Sequence, residues 1–343
     1  MRLPFFITLF GVIWAGLLHG YDITPAHFAL AAQFSRSHGG VALRVQQDGK
    51  VIYEDYAPGF SNSAPRKIYS GTKSFVAVTA LLAMQDGLLT LDEPASKTLT
   101  EWQDDPRRDI TIEQLLSHTS GLDSGDDVIY SASDQFTAAL DVRLINPPGT
   151  RFTYGPAGYQ AFGEILRRKL RAIGQTVEGY MRKRLFDPLG LDIASWKHDD
   201  AGNPLLHTGM ELNTREWAKL GEFLKNGETH KQKQLLLSES LPLLFIAPQA
   251  NPAYGLGFWL NTPLPHKRTQ SILDLQPAMD GDQIYPGGPK DIYASFGSGK
   301  QRLYVIPSLN LVIVRFGQEH SFSDGDFLSR LLTGTPLPDS HTH

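Results

Sequence analysis

The 343-residue sequence contains no cysteine, which excludes disulfide frameworks, thiolate zinc sites, iron–sulfur clusters, a cysteine nucleophile and an N-terminal lipidated cysteine. It also lacks an excess of either charge: 32 Lys and Arg stand against 36 Asp and Glu, a formal charge of −4. Without a basic field, nucleic acid is not an expected partner. Eleven His residues form neither His-Glu-x-x-His nor His-x-His-x-Asp, so no zinc hydrolase motif is present and no metal or other cofactor is implied. No Gly-x-Ser-x-Gly occurs, which argues against an α/β-hydrolase. Beyond the first twenty residues no apolar run approaches the roughly 18 residues a membrane span requires. What is there is 41% hydrophobic and 10% aromatic, enough to bury a sizeable core.

The N-terminus reads as a secretory signal peptide. Arg2 precedes an apolar run from Phe5 to Leu18, and the small Gly20 before Tyr21 marks a cleavage point. A periplasmic or secreted protein is therefore expected; an uncleaved signal would instead anchor it at its N-terminus.

Downstream, Pro25 to Arg36 reads as a short helix, and β-rich runs Val41–Gln47 and Val51–Tyr56 flank the turn Asp48-Gly49, a hairpin signal. From about residue 70 to 190 the pattern turns helical. Gly87 sits where the first of these helices ends, and Thr111 with Gln114 has the form of a capping box, as does Asn213 with Glu216. Strand patterns return at Tyr254–Leu260, Ile292–Phe296, Arg302–Ile306 and Leu311–Phe316, and the polar tail from Pro336 is expected to fray. This order predicts an α+β fold: an antiparallel sheet flanked by helices, completed by the C-terminus, with an all-helical lobe inserted. We place the signal at 1–20 and one catalytic domain at 21–343. Its sheet lobe covers about 21–69 and 195–335, its helical lobe about 70–194, and a site is expected in the cleft between them.

Ser70-Gly71-Thr72-Lys73 is the only Ser-x-x-Lys in the chain and stands at the predicted start of the helix running to Asp86. Residues three apart share a helix face, so the Lys73 amine lies within reach of the Ser70 hydroxyl. A serine hydroxyl is a weak nucleophile until such a partner activates it. Burial and the helix dipole would lower the Lys73 pKa and free its amine to act as a base. The tetrapeptide alone is short, and a serine at a helix start also serves as a cap.

Three ordered segments extend the signal: Ile68–Asp92 (IYSGTKSFVAVTALLAMQDGLLTLD), Ile110–Leu122 (ITIEQLLSHTSGL) and Pro148–Tyr154 (PGTRFTY). Together they resemble the class C β-lactamase-like serine hydrolases, and the resemblance continues to the final hairpin. It implies a β-lactamase/transpeptidase-like fold, Ser70 as nucleophile, Lys73 as its partner, and Tyr154 as general base and later acid. It also implies an oxyanion hole from the backbone amides of Ser70 and Ser298, with Gly297 and Gly299 allowing close approach of substrate. A neighbouring ammonium favours the phenolate, so Lys73 and Tyr154 are expected to titrate as a pair.

Two positions depart from the family pattern. Pro156 replaces the Asn usual two residues after the tyrosine, removing a side chain that positions the lysine and meets a substrate amide. Gly297-Ser298-Gly299 carries no cation where β-lactamases present one to a substrate carboxylate, and is closer to the nylon-oligomer hydrolase and carboxylesterase branch. His207-Thr208-Gly209 imitates the missing triplet but lies before the Asn213 helix. Ser133-Asp134-Gln135 reads as a loop or cap, and His118 as a structural residue hydrogen-bonding a helix end. Trp259, Tyr254, Phe258 and Phe296 are divided between an acyl pocket and core.

The reading is an exported serine hydrolase acting on a small ester, amide or peptide-like substrate through an acyl-enzyme. The alternatives are a β-lactamase or D-Ala-D-Ala peptidase-like enzyme, and a catalytically silent member binding cell-wall fragments.

Overall fold

The computed structural model describes residues 20–225, 229–230, 233–264, 283–318 and 321–338. The segment read as a signal peptide therefore lies outside the described residues, apart from Gly20. Among the described residues no helix is long and apolar enough to cross a membrane.

Helix α1 (Pro25–Ser37) leads into β1 (Gly40–Gln47) and β2 (Lys50–Tyr56), joined through Asp48 and Gly49, both with positive φ as the tight hairpin turn demands. A two-residue strand β3 (Arg66–Lys67) precedes α2 (Thr72–Gln85). The helical region continues with α3 (Ile112–Leu116), α4 (Asp126–Ile129), α5 (Gln135–Ala138), α6 (Ala157–Arg171), α7 (Val177–Met181) and α8 (Asp187–Leu189). Strands β4 (Ser195–Trp196) and β5 (Met210–Leu212) join β3 in a small sheet, followed by α9 (Thr214–Lys225) and the minor hairpin β6 (Thr229–His230) and β7 (Lys233–Gln234). The chain closes with β8 (Trp259–Leu260), β9 (Tyr293–Gly297), β10 (Gln301–Ile306), β11 (Leu311–Gly317) and α10 (Asp324–Thr333).

The main sheet has the order β2-β1-β11-β10-β9-β8, antiparallel throughout. Strand alternation sorts its side chains into two cores. Leu303 and Val305 of β10 with Val312 and Val314 of β11 join Trp217, Leu220 and Phe223 of α9. Tyr304, Ile306, Leu311 and Ile313 point the other way and join Phe28 of α1 and Phe327, Leu328 and Leu331 of α10. Burial on both faces explains why β10 and β11 read as nearly continuous apolar runs.

The Thr111 capping box forms in full, each side chain bonding the other residue's amide. At α9 only half of it forms. Asn213 Oδ1 accepts from the Glu216 amide at 2.9 Å, while the Glu216 carboxylate accepts from the Asp192 amide and from Lys219.

Two sequence readings need correction, and one helix lies beyond them. The Tyr254–Leu260 run is a strand only at Trp259 and Leu260. Its first half is a tight turn closed by the Gly255 amide on the Phe258 carbonyl, with Gly257 at φ +72° pressed against the Lys73 backbone. Helix α10 has no counterpart in the sequence reading; its start is capped by Ser323, whose hydroxyl accepts from the Asp326 amide. The tail is docked at its beginning, the Leu337 amide donating to Asp326 at 2.9 Å; residues 339–343 lie outside the described ones.

Candidate active site

Ser70 sits on a single 3₁₀ turn (Tyr69–Gly71) that feeds directly into α2. Tyr69, just before it, has φ +49°, a left-handed conformation that a non-glycine residue holds only when its surroundings impose it. Strand β9 is one source of that constraint. A Cβ on Gly297 would lie 2.0 Å from the Ile68 carbonyl oxygen, so only glycine lets the strand approach the turn this closely. Behind the turn, Ser74 Oγ donates to the Gly257 carbonyl at 2.6 Å and shares a 2.7 Å hydrogen bond with Ser295 Oγ of β9. Ser295 in turn reaches the Gly71 carbonyl at 3.3 Å, so the start of α2 is tied to the sheet.

Lys73, in the first turn of α2 and three residues after Ser70, is 3% exposed. Its Nζ donates to Ser70 Oγ at 3.1 Å and to the His207 carbonyl at 2.9 Å, and lies over the Tyr154 ring, 4.7 Å from its centre. Burial disfavours the ammonium and brings the Lys73 pKa down to about 7, partly opposed by the Asp126 carboxylate at the start of α4.

Tyr154 reaches the same point from the loop before α6. The Thr153 amide donates to the His118 carbonyl at 2.8 Å, and the Ala157 amide to the Ser124 carbonyl at 3.1 Å, bracketing the tyrosine with main-chain bonds. Its ring is walled by His118 (4.4 Å between centres), Trp259 (6.0 Å) and Tyr254 (6.1 Å). Burial pushes the phenol's pKa up to about 12, partly opposed by the nearby Ser70 hydroxyl, which lowers it. The expected pairing of ammonium with phenolate is thus reversed. The shared desolvation favours a neutral amine beside a neutral phenol.

The structure brings Ser70, Lys73 and Tyr154 together. Gly297 ends β9, while Ser298 and Gly299 form the turn to β10, with Ser298 exposed. Pro156 is the residue immediately before α6, where a missing N–H costs nothing. The acceptor for Lys73 comes instead from the His207 carbonyl, a main-chain contact that no side-chain pattern announces. The His207 triplet lies between β4 and β5, away from β9, yet its carbonyl borders the site. Asp134 caps α5, accepting from the Thr137 amide at 3.0 Å. His118 acts by packing against Tyr154 rather than by capping, since its buried Nε2 has no hydrogen-bond partner. Tyr254, Trp259 and Phe296 form a buried aromatic layer with Phe152 beneath Tyr154, whereas Phe258 packs away from it against Phe245 and Tyr293. Among the described residues no group of three or more His, Asp or Glu stands where a metal ion could be held.

The arrangement is a desolvated amine and a phenol on one serine hydroxyl, able to move its proton in two directions. The family profile described as Beta-lactamase matches residues 28–324. Over 157 residues the chain is 32% identical to the lovastatin esterase of Penicillium rubens, covering 36% of this chain and 37% of that enzyme. It spans about two-fifths to a half of the length of the curated relatives it matches. A Bacillus anthracis structure described as a 6-aminohexanoate-dimer hydrolase superposes with a TM-score of 0.70 at 18% identity, covering 87% of this chain and 79% of that one. A class C β-lactamase from Rhodobacter sphaeroides gives 0.64 at 17% identity, covering 90% and 98%. These structural likenesses establish the β-lactamase/transpeptidase-like fold.

Proposed function

The chain belongs to the Beta-lactamase family of serine hydrolases, and from that premise we propose that it cleaves an ester or amide bond, esters first, through an acyl-enzyme at Ser70. The observation that carries this is the 3.1 Å contact between Ser70 Oγ and a Lys73 amine that burial holds near pKa 7. A neutral amine at that distance is the base that a serine nucleophile needs.

In acylation, Lys73 takes the Ser70 proton as Oγ bonds to the carbonyl carbon. The displaced electron pair settles on the carbonyl oxygen, held by the amides of Ser70 and Ser298, with Gly297 and Gly299 leaving room for it. Collapse breaks the bond to the leaving alcohol or amine, which takes its proton from Tyr154. Lys73, as ammonium over the Tyr154 ring, returns its proton to the phenolate, and both groups are neutral again. Water then attacks the acyl carbon, giving a proton to Lys73, which passes it to Ser70 Oγ as the acid departs. Tyr154 thus acts as an acid toward the leaving group, consistent with a pKa raised to about 12.

The departures in sequence support esters over β-lactams and D-Ala-D-Ala peptides. Pro156 offers no side-chain hydrogen bond to a substrate amide, and Gly297 stands where a cation would meet a carboxylate. The relative named an esterase agrees with this. We also propose export by residues 1–20, tested by whether the mature protein recovered from the periplasm begins near Tyr21.

The test is steady-state hydrolysis of p-nitrophenyl butyrate and of a chromogenic cephalosporin, with Tyr154→Phe alongside. We expect ester turnover to exceed β-lactam turnover, and Tyr154→Phe to lower kcat by about 10²–10⁴ with KM little changed. Faster β-lactam turnover would replace the ester reading. An unchanged kcat in Tyr154→Phe would remove that residue from the chemistry.

A further inference from the structure

The turn that joins β9 to β10 is Ser298, Gly299 and Lys300, between the paired residues Gly297 and Gln301. Gly299 has φ +71° and Lys300 φ +59°. Glycine takes the left-handed conformation freely, whereas a lysine meets resistance from its own Cβ and must be held there.

Two buried side chains occupy the carbonyls of this turn. Gln301, 2% exposed, donates through Nε2 to the Gly299 carbonyl at 3.1 Å and to the Gly317 carbonyl at 2.7 Å; its Oε1 accepts from the Gly317 amide at 3.1 Å. One carboxamide thereby joins the turn to the end of β11. Arg315, fully buried on β11, donates through Nη1 to the Lys300 carbonyl at 2.8 Å. Its other donors are anchored on the end of α1: Nε to Ser35 Oγ at 2.9 Å and Nη2 to the His38 carbonyl at 2.8 Å. The guanidinium also lies 3.7 Å over the Phe322 ring.

Burying a guanidinium and a carboxamide is a poor way to gain stability, since well-packed apolar residues usually do as well. What such groups supply is one defined backbone conformation, and here the donors toward the turn end on the carbonyls of Gly299 and Lys300, one and two residues after Ser298. The spatial requirement is strict, because an oxyanion donor displaced by an ångström loses most of its effect.

We infer that Gln301 and Arg315 are positioning residues that clamp the 298–300 turn and hold the Ser298 amide toward the carbonyl oxygen of a substrate on Ser70. This rests on the proposed role of the Ser298 amide as an oxyanion donor. Neither side chain touches the substrate; each acts through the turn.

The test compares full-length wild-type protein with Gln301→Met, Arg315→Lys and Arg315→Met by two readouts. Hydrogen-exchange mass spectrometry on the peptide covering residues 297–302 reads the clamp itself. Hydrolysis of p-nitrophenyl butyrate, per folded molecule, reads its consequence. We expect exchange in that peptide to speed up in all three variants while the rest of the sheet keeps its protection. Gln301→Met should lose about tenfold or more in kcat, with KM within about twofold and the pH midpoint unmoved. Arg315→Lys should lose less than Arg315→Met, because an ammonium still donates to the Lys300 carbonyl. If Gln301→Met does not fold, Gln301→Glu, which keeps the side-chain shape but loses both N–H donors, carries the same comparison. Unchanged exchange in the variants overturns the clamp whatever the ester result. Faster exchange with full kcat overturns its link to Ser298. A wild-type protein inactive on the ester counts against the acyl-enzyme reading alone, and the exchange comparison still decides the clamp.

Discussion

Lys73 does two opposed things, and its burial is the cause of both. Removing water brings its pKa down from 10.5 to about 7, which supplies a neutral amine to Ser70 at physiological pH. We therefore expect kcat/KM for an ester to rise with pH through a midpoint near 7 and to stay level past pH 10, since the Tyr154 phenol keeps its proton until about 12. A profile rising only toward pH 12 would instead make the phenolate the base. The same desolvation charges a cost to the fold. Between about pH 7 and 10.5 the unfolded chain carries a proton on Lys73 that the folded one lacks, so stability gains from this residue as pH rises, and the penalty is full below pH 7. Lys73→Met should then be inactive but more stable than wild type, by on the order of a few kcal/mol at pH 6, with the advantage gone by pH 10.5 in urea titrations. That Ser70, Lys73 and Tyr154 converge was legible in the sequence because Ser-x-x-Lys and its flanking strings point to them. The His207 carbonyl was not, because any residue presents a carbonyl and only the fold decides whose is used.

Elements with a local cause were equally legible. The β1–β2 hairpin is written in Asp48-Gly49, and α3 in the Thr111–Gln114 box. Where contacts between distant segments decide, local pattern misleads. Tyr254–Leu260 has strand composition, yet the chain turns at Gly257, where the positive φ and the approach to the Lys73 carbonyl oxygen, 2.8 Å from where a Cβ would sit, require glycine. Helix α10 was missed for a related reason: its Ser323 cap follows a strand with little warning, and it is held by packing on α1. The approach of β9 to the nucleophile turn depends on Gly297, and Gly297→Ala tests it. With a methyl placed 2.0 Å from the Ile68 carbonyl oxygen, the strand must retreat. We expect a loss of about 2–4 kcal/mol in stability and at least about tenfold in kcat, measured by thermal unfolding and ester hydrolysis. Wild-type values for both would mean that the contact does not set the site.

Across the whole molecule, the site is held by the two ends of the described chain. Strand β1 pairs with β11, α1 packs on α10, and the Arg302 guanidinium of β10 is bound by Asp324 at the start of α10, with Tyr304 donating to the same carboxylate. Both members of that ion pair are buried, so removing one leaves a charge without its partner. Asp324→Ala is expected to cost about 3–5 kcal/mol in denaturant unfolding, far more than loss of an exposed pair such as Arg108–Asp109. The antiparallel sheet joining the early hairpin to the late strands was foreseeable from the order of strand and helix patterns; its exact partners were not, since register depends on which faces are buried. The most direct test of the central claim is the intact mass of the mature protein after brief exposure to p-nitrophenyl butyrate, followed by peptide mapping. The account predicts one butyryl group, on Ser70, absent from Ser70→Ala and slow to appear in Lys73→Met. An equal adduct on Ser70→Ala, or neither adduct nor turnover with the folded wild-type protein, would contradict it.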